Sequence, residues 1–329
     1  MKILVTGAAG FIGYHLSKSL LEDGYEVLGI DNINDYYDVN LKYARLKELG
    51  ISTPLTINYQ PSTKYENFSF CKVDISDKDA LTKVFTNFMP NKVVNLAAQA
   101  GVRYSIENPY VYMQANLVGF LNIIELCRHN KVEGFIYASS SSVYGGNEKM
   151  PFSVDDRVDN PISLYAATKK ANELIANTYS HLYGLHTTGL RFFTVYGPWG
   201  RPDMAMYLFT NKILKDIPIQ IFNNGNMKRD FTYIDDIVSG IRKSIDKNYK
   251  CEVFNLGNHK SEELMDMVHL IEKNLEKKAI IEFKPMQQGD VKESFANIDK
   301  SIKMLGYKPL TNVEVGIRNF IKWFKKEQI

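Results

Sequence analysis

The sequence predicts an α/β fold: a doubly wound parallel sheet followed by a smaller C-terminal α/β lobe. Three observations predict it. Short apolar runs alternate with stretches of helical period from Met1 to Arg191. Glycines, acids and small residues gather at the C-terminal ends of those runs. After Phe193 the rhythm breaks into prolines, aromatics and shorter elements. Strands alternating with helices make a doubly wound sheet, and such sheets take ligands beyond the carboxyl ends of their strands.

Lys2 to Val5 is a short apolar run that reads as a buried strand. It breaks at Thr6-Gly7-Ala8-Ala9-Gly10-Phe11-Ile12-Gly13, after which Phe11, Ile12, Leu16, Leu20 and Leu21 fall at helical spacing. Glu26 to Ile30 is a second strand, closing on Asp31. A strand, a glycine turn, a helix and a strand ending on an acid form a dinucleotide-binding Rossmann unit. Gly7 lets the backbone turn sharply. Gly10 leaves room for a pyrophosphate at the helix N-terminus, where N–H groups and the dipole favour negative charge. Gly13 lets the helix pack close to the strand. Asp31 can accept hydrogen bonds from the adenosine ribose, and its charge repels the 2′-phosphate of NADP, so NAD is favoured.

Asn32 to Tyr37 leaves the second strand as a loop, and Asn40 to Leu49 has helical spacing at Leu41, Ala44, Arg45 and Leu46. Gly50 to Asn67 carries Pro54, Pro61 and many polar residues without a period, which reads as a long surface loop with room to move. Phe68 to Val73 is a third strand followed by Asp74. That acid can meet the adenine amino group or cap the next turn, and spacing leaves both open. Asp77 to Phe88 is an amphipathic helix, and Lys92 to Leu96 a fourth strand running into Ala97-Ala98-Gln99-Ala100. Small residues there let a flat cofactor lie against the backbone. Pro109 to Asn130 reads as a long helix with a break near Pro109, and Glu133 to Ala138 as a fifth strand leading into Ser139-Ser140-Ser141-Ser142-Val143-Tyr144-Gly145. Leu164 to Leu182 is another long helix and His186 to Arg191 a sixth strand. Beyond Phe193, Ile217 to Phe222 reads as a strand, Glu252 to Leu256 as a return to the main sheet, and Glu262 to Lys277 and Asn312 to Lys326 as helices. The expected division is a Rossmann domain over 1–192 with return segments near 231–257, and a substrate lobe over about 193–230 and 258–329.

The 329 residues suffice for one large domain or two ordinary ones, with 45% hydrophobic and 23% charged residues. A net charge of +3, from 40 basic and 37 acidic side chains, points to neither nucleic acid nor membrane as a partner. Cys71, Cys127 and Cys251 are odd in number and far apart, which suits reduced thiols rather than a disulfide framework. The six histidines show no metal-ligand spacing, so no metal is expected. The N-terminus lacks a signal peptide's order and no run of about 18 apolar residues occurs. The expected location is the cytoplasm.

The sharpest local signal is Tyr165-Ala166-Ala167-Thr168-Lys169. On a helix, positions four apart share a face, so phenol and ammonium reach one site. A free tyrosine titrates near about 10, and bringing it to neutrality takes roughly 4 kcal/mol. Lys169 and a positive nicotinamide ring would both favour the phenolate. Ser140 is a candidate partner that hydrogen-bonds a substrate oxygen and relays its proton. The same serines can also serve only to satisfy a tight turn.

The glycine loop, the serine run ending in Val143-Tyr144-Gly145 and the Tyr165/Lys169 pair resemble the extended short-chain dehydrogenase/reductases, the NAD-dependent epimerase/dehydratase family, that act on nucleotide sugars. Within them, three stretches resemble UDP-glucuronate 4-epimerases. These are Ala97 to Ser105 (AAQAGVRYS), Arg191 to Met204 (RFFTVYGPWGRPDM) and Arg229 to Asp236 (RDFTYIDD). The resemblance covers nearly the whole chain, with the length of Gly50 to Asn67 as its main departure.

This resemblance implies an isomerase that retains NAD. Tyr165 would take the proton of the sugar 4-hydroxyl as the C4 hydride moves to NAD⁺. A 4-keto sugar would turn over in the pocket, and hydride would return to its other face, interconverting UDP-glucuronate and UDP-galacturonate for capsular or other surface polysaccharide synthesis. The implied cofactor contacts are Gly7, Gly10, Phe11, Ile12, Gly13, Asp31, Asn32, Asp74, Ile75, Leu96, Ala97, Ala98, Gln99, Tyr165 and Lys169, with Lys169 on the nicotinamide ribose. Arg229 matches a diphosphate-binding arginine and Asp290 an acid near the uridine ribose. Gln287 and Gln288 stand where epimerases of the galactose type carry a second arginine, which leaves Arg201 as the candidate for that contact. Ser141, Ser142 and Thr194 can grip the substrate carboxylate without adding charge, and the sequence lacks the acid that related dehydratases and decarboxylases place near Ser142. Arg103 reads either as a substrate contact or as a solvated surface charge. The alternatives are a UDP-glucuronate decarboxylase, a 4-epimerase of another UDP-sugar and, outside enzymes, a NAD-binding regulator. The helices over Pro109 to Asn130 and Leu164 to Leu182 imply, by the same resemblance, a homodimer through a four-helix bundle.

Overall fold

In a computed structural model, which describes residues 1–287 and 291–327, the first apolar run forms β1 (Lys2–Thr6), buried from Ile3 onward. The glycine turn leads into α1 (Phe11–Glu22), then β2 (Glu26–Asp31). α2 (Val39–Glu48) starts on Asp38, whose side chain accepts a hydrogen bond from Asn40 N. β3 (Gln60–Pro61), β4 (Phe68–Lys72), α3 (Lys78–Phe88) and β5 (Lys92–Asn95) follow. Next come α4 (Tyr104–Glu107), α5 (Pro109–Tyr112), a π-helical segment (Met113–Gly119) and α6 (Phe120–His129). β6 (Gly134–Ser140), α7 (Leu164–Tyr183) and β7 (Thr187–Phe192) complete the alternation. The remainder holds β8 (Thr194–Tyr196), α8 (Ala205–Leu214), β9 (Ile219–Phe222), β10 (Lys228–Arg229), β11 (Phe231–Tyr233), α9 (Ile234–Lys247), β12 (Cys251–Leu256), β13 (Glu262–Glu263), α10 (Leu264–Leu275), β14 (Ile281–Lys284), β15 (Glu293–Ser294) and α11 (Val313–Glu327).

Among the described residues the main sheet has eight strands in the order β12-β7-β6-β5-β1-β2-β4-β3. All pairs are parallel except β3 with β4. Strand order reverses beside β1, with Val5 opposite Gly29 on one side and Val94 on the other. That switch point opens a crevice at the strand ends. Alternate side chains of each strand face opposite ways. Ile3, Val5 and Val94 therefore pack with α1 and α9, while Leu4, Val93 and Phe135 pack with α3 and α6. Three smaller sheets, β8 with β11, β9 with β14, and β13-β10-β15, lie outside the main one. No helix among the described residues is long and apolar enough to cross a membrane.

The predicted elements lie close to the observed ones, and the differences have physical causes. The stretch from Gly50 to Asn67 is not free. It folds back so that β3 covers the edge of β4, and Thr63 N, Ser62 N and Lys72 N donate to the carbonyls of Gly50, Phe68 and Thr56. An edge strand left bare would present unpaired backbone groups. The break expected near Pro109 is a helix start, where the missing N–H of proline is harmless. The helix then widens into the π segment, which periodicity does not reveal. The helix expected from Glu262 begins at Leu264 because Glu262 and Glu263 pair with β10, and the strand expected from Ile217 begins at Ile219.

α7 is the longest helix described, and Ser163 caps its first turn by accepting a hydrogen bond from Ala166 N at 3.2 Å. Ser163→Ala removes that acceptor and should lower the unfolding free energy by about 1 kcal/mol, read as a lower urea midpoint.

Candidate active site

The turn after β1 is built by close approach. Gly7 has φ +69°, and a Cβ there would stand 2.9 Å from Ala97 N. A Cβ on Gly13 would stand 2.1 Å from Gly7 O. Only glycine fits either place. Gly10 is the N-cap of α1, no side chain caps it, and the first turn carries no acid. The N-terminal N–H groups and the positive end of the helix dipole face the cleft, a donor set that suits a pyrophosphate.

At the end of β2, Asp31 is buried and accepts from Ile33 N at 2.8 Å and Ala9 N at 3.2 Å. Lys42 of α2 lies 3.8 Å from its carboxylate and donates to Asn34 Oδ1 at 2.9 Å. This buried lysine offsets part of the charge expected to repel a 2′-phosphate. Burial lowers the Lys42 pKa, and Asp31 works in the opposite direction. Asn32 donates to Asp74 Oδ2 at 2.7 Å, and Ser76 donates to Oδ1 through both its N–H and its hydroxyl. Asp74 therefore caps the turn while also lining the cleft. Burial opposes its charge, yet those hydrogen bonds hold it below the ordinary carboxyl value.

Tyr165, Lys169 and Glu173 succeed one another at four-residue intervals along α7. Lys169 is buried and donates to Ala138 O on β6 at 2.8 Å. Burial lowers its pKa to about 8. Burial raises the Tyr165 pKa, while the neighbouring Ser140 hydroxyl and Arg201 pull it down. The Lys169 ammonium is turned to the Ala138 carbonyl, and Arg201 is a further cation that acts on the phenol. Ser140 accepts from Ser142 N at 3.1 Å and shares a 3.1 Å hydrogen bond with the Ser142 hydroxyl. The serine run thus both satisfies a turn and faces the tyrosine. Asn116, inside the π segment, is also involved. Its side chain accepts from Gln99 N and donates to Gln99 O and Thr168 Oγ1, joining the end of β5 to α7.

Arg201 is paired with Asp203, with Nε at 3.0 Å from Oδ1. Tyr36 donates to Asp203 at 3.1 Å, and the guanidinium stands 5.9 Å from the Tyr36 ring centre. Burial works against the Arg201 charge, but Asp203, Tyr36 and Tyr165 hold its pKa above the ordinary value. Arg103 is exposed at the cleft rim and lies over the Phe222 ring at 5.0 Å. Arg229 lines the cleft while donating to the carbonyls of Lys228 at 2.8 Å and Val291 at 2.7 Å.

One cleft of about 790 Å³ brings together every described residue expected at the site, from the glycine turn to Arg229. Asp290, Gln288 and Gly289 lie outside the described residues. Gln287 lines the same cleft. Lys42, Tyr36, Asn116, Asp203 and Glu173 were not among the expected site residues. A buried Asn within a helical run and a second acid four residues beyond Lys169 were the signals available for Asn116 and Glu173. Nothing in spacing marks Tyr36, 167 positions from its partner Asp203.

The profile of the NAD dependent epimerase/dehydratase family matches residues 3–257. The chain is 50% identical to Protein CapI of Staphylococcus aureus over 98% of both chains. It is 46% identical to UDP-glucuronate 4-epimerase 4 of Arabidopsis thaliana over 98% of this chain and 75% of that one. Its structure is similar to that of UDP-glucuronic acid 4-epimerase from Bacillus cereus in complex with UDP-glucuronic acid and NAD. The TM-score is 0.89 and the identity 34%, over 99% of this chain and 100% of the other.

Burial gives Lys169 a folded pKa of about 8 against an ordinary 10.5, so the native protein loses this proton first. Between those two pH values the unfolded chain binds more protons than the folded one, and stability from this group rises with pH. Below pH 8 the burial cost stands in full. Urea midpoints of ligand-free protein should show that contribution between pH 8 and 10.5, and Lys169→Met should remove it.

Proposed function

The chain belongs to the NAD dependent epimerase/dehydratase family, and from that premise we propose that it is an isomerase interconverting UDP-glucuronate and UDP-galacturonate with a retained NAD. The observation that carries this is the meeting, in one cleft, of a pyrophosphate cradle, a Tyr165–Ser140 pair and the hydroxyls of Ser141, Ser142 and Thr194. The Bacillus cereus neighbour holds both ligands, and the cleft here fits them. Gly7 and Gly13 leave space that any Cβ would fill. The α1 N-terminus meets the pyrophosphate, and Asp31 and Asn32 meet the adenosine ribose. Asp74 and Ile75 flank the adenine, Phe11, Ile12 and Leu96 to Gln99 wall the cofactor, and Lys169 holds the nicotinamide ribose. NAD, when bound, supplies the hydride acceptor and donor.

Tyr165 Oη takes the proton from the sugar 4-hydroxyl and gives it back to the opposite epimer. Ser140, beside Tyr165, orients that hydroxyl. The cost of ionising the buried phenol is reduced by cations in the cleft. Arg201 already acts in that sense.

The 4-keto sugar carries a carboxylate β to the ketone and loses CO₂ when that C–C bond aligns with the carbonyl π system. Ser141, Ser142 and Thr194 hold the carboxylate out of alignment. They do so with neutral donors, and the sequence places no carboxylic acid beside Ser142 to assist carbon–carbon cleavage. Arg229 and Asp290 serve the diphosphate and the uridine ribose, and Arg103 and Arg201 reach the substrate from the rim. In this scheme residues 1–192 with 231–257 hold the dinucleotide, and the remainder holds the nucleotide sugar. Exposed apolar side chains on α5 to α7, among them Tyr110 at 83%, Leu174 at 56% and Leu182 at 60% exposure, support a homodimer through a four-helix bundle. The cytoplasm is its proposed location, and surface polysaccharide synthesis the use of its product.

Purified protein given UDP-glucuronate without added NAD should yield a new sugar nucleotide of unchanged mass, identified as UDP-galacturonate. A product lighter by CO₂ marks a decarboxylase instead. Tyr165→Phe should lower kcat by between about 100- and 10,000-fold while NAD content stays that of the parent. Replacing Ser142 and Thr194 together by alanine should divert part of the flux to the CO₂-lighter product. Sedimentation at micromolar concentration should give the dimer mass.

A further inference from the structure

Arg45, on α2, is fully buried. It makes no ion pair among the described residues, although burying an unpaired cation is costly. Its donors all meet neutral oxygens. Nε and Nη2 donate to Trp199 O at 3.1 and 2.7 Å, and Nη2 also reaches Gly200 O at 3.3 Å. Nη1 donates to Ala9 O at 3.0 Å and to the Tyr37 hydroxyl at 2.7 Å. Ala9 belongs to the glycine turn, and Trp199 and Gly200 lead directly into Arg201. One guanidinium therefore spans the pyrophosphate cradle and the turn that carries the cleft's arginine. The same turn is fastened to α1 twice more: His15 Nε2 donates to Pro198 O at 2.9 Å, and the Tyr14 and Trp199 rings meet edge to face at 5.7 Å. Burial lowers the His15 pKa to about 4, so its ring is neutral at pH 7.

We propose that Arg45 is a positioning residue that clasps the dinucleotide: from behind the glycine turn its unpaired charge is offset by a pyrophosphate seated there, and its fork ties the Trp199–Arg201 turn to that cradle, so that the nucleotide leaves only when the clasp opens. The ligand's identity rests on the function proposed above; the clasp rests on the position of Arg45. A purely structural tie would stabilise the protein equally with and without nucleotide. A clasp makes the contribution larger when the anion is present.

The test compares the parent with Arg45→Met and Arg45→Lys. Three quantities are measured: NAD released per chain on denaturation, the half-time of NAD loss against a NAD-consuming scavenger, and the thermal midpoint with and without NAD⁺. For Arg45→Met the expected result is NAD loss faster by about tenfold or more, the loss of a charge-assisted contact, together with a smaller NAD-induced midpoint shift. Arg45→Lys keeps the charge and loses the fork, and should also lose NAD faster than the parent. Should the methionine variant not fold, the lysine variant decides: a shortened half-time supports the clasp, and an unchanged one overturns it. Equal half-times in parent and Arg45→Met, or an equal midpoint shift in both, overturn it as well. A parent protein that holds and binds no NAD overturns the proposed function itself, which is a different result.

Discussion

The site rests on the buried pairing of Glu173 with Arg191. The two meet in bidentate geometry, Nε to Oε1 and Nη2 to Oε2 both at 2.8 Å. Ser139 adds a third contact to Glu173 Oε1 at 2.6 Å. Burial opposes the charge on Glu173, yet Arg191, Ser139 and Lys170 keep its pKa below the ordinary carboxyl value. Glu173 is on α7 below Lys169, Ser139 is on β6 beside Ser140, and Arg191 is on β7 just before Phe193 and Thr194. One carboxylate thus sets the relative positions of the three elements that carry the reacting groups. Breaking a buried pair by removing one partner typically costs about 3–5 kcal/mol, because the remaining charge has nowhere to go. The guanidinium also lies 4.9 Å from the Tyr144 ring centre, which fixes the turn after the serine run.

Above that anchor the cleft is governed by where its cations are held. Lys169 is committed to the Ala138 carbonyl and Arg201 to Asp203. Arg103 stacks on Phe222, and Arg229 faces backbone oxygens. Each positive charge is held locally, Arg201 most firmly by the Asp203 carboxylate, and an anionic ligand competes with those partners. Tyr36 and Asp203 both line the cleft, and their hydrogen bond ties two segments 167 positions apart in its wall. Tyr165 is half-buried in this setting, and its acidity depends on which of those partners the cations keep.

Much of the fold was legible because its signals are local. Apolar runs, helical spacing and glycines at β1 report backbone conformations that short segments impose by themselves. The Tyr165–Lys169 spacing is of the same kind. Contacts between distant segments were not legible: Tyr36 with Asp203, Arg45 with Trp199, and Asn116 with Gln99 and Thr168 join residues whose proximity only the folded chain creates. Arg45 falls on the apolar face of its helix, where periodicity counts a position as buried without saying what a charged group does there. The segment from Gly50 to Asn67 looked free because its anchors, backbone bonds such as Lys72 N to Thr56 O and side-chain bonds such as Tyr59 Oη to Val84 O and Asn67 Nδ2 to Tyr25 O, leave no periodic mark on the sequence. The spacing of Tyr165 and Lys169 was legible, whereas the main-chain acceptor of Lys169 on β6 was not.

The position of β12 has a consequence for how the protein is made. This strand pairs with β7 over six residues, Cys251 with Thr187 through Leu256 with Phe192, and it forms the outer edge of the main sheet. The 58 residues between Phe192 and Cys251 build β8 to β11, α8 and α9 first. On the ribosome, β7 therefore waits with one edge unpaired while those residues are synthesised, several seconds at about 5–20 residues per second. Long-range parallel pairing of this kind is slow to form and leaves strand edges open to wrong partners. The main sheet thus cannot complete its β7 edge before residues 193–250 have been translated, and a chain that stops short of Leu256 leaves the ribosome with that edge exposed.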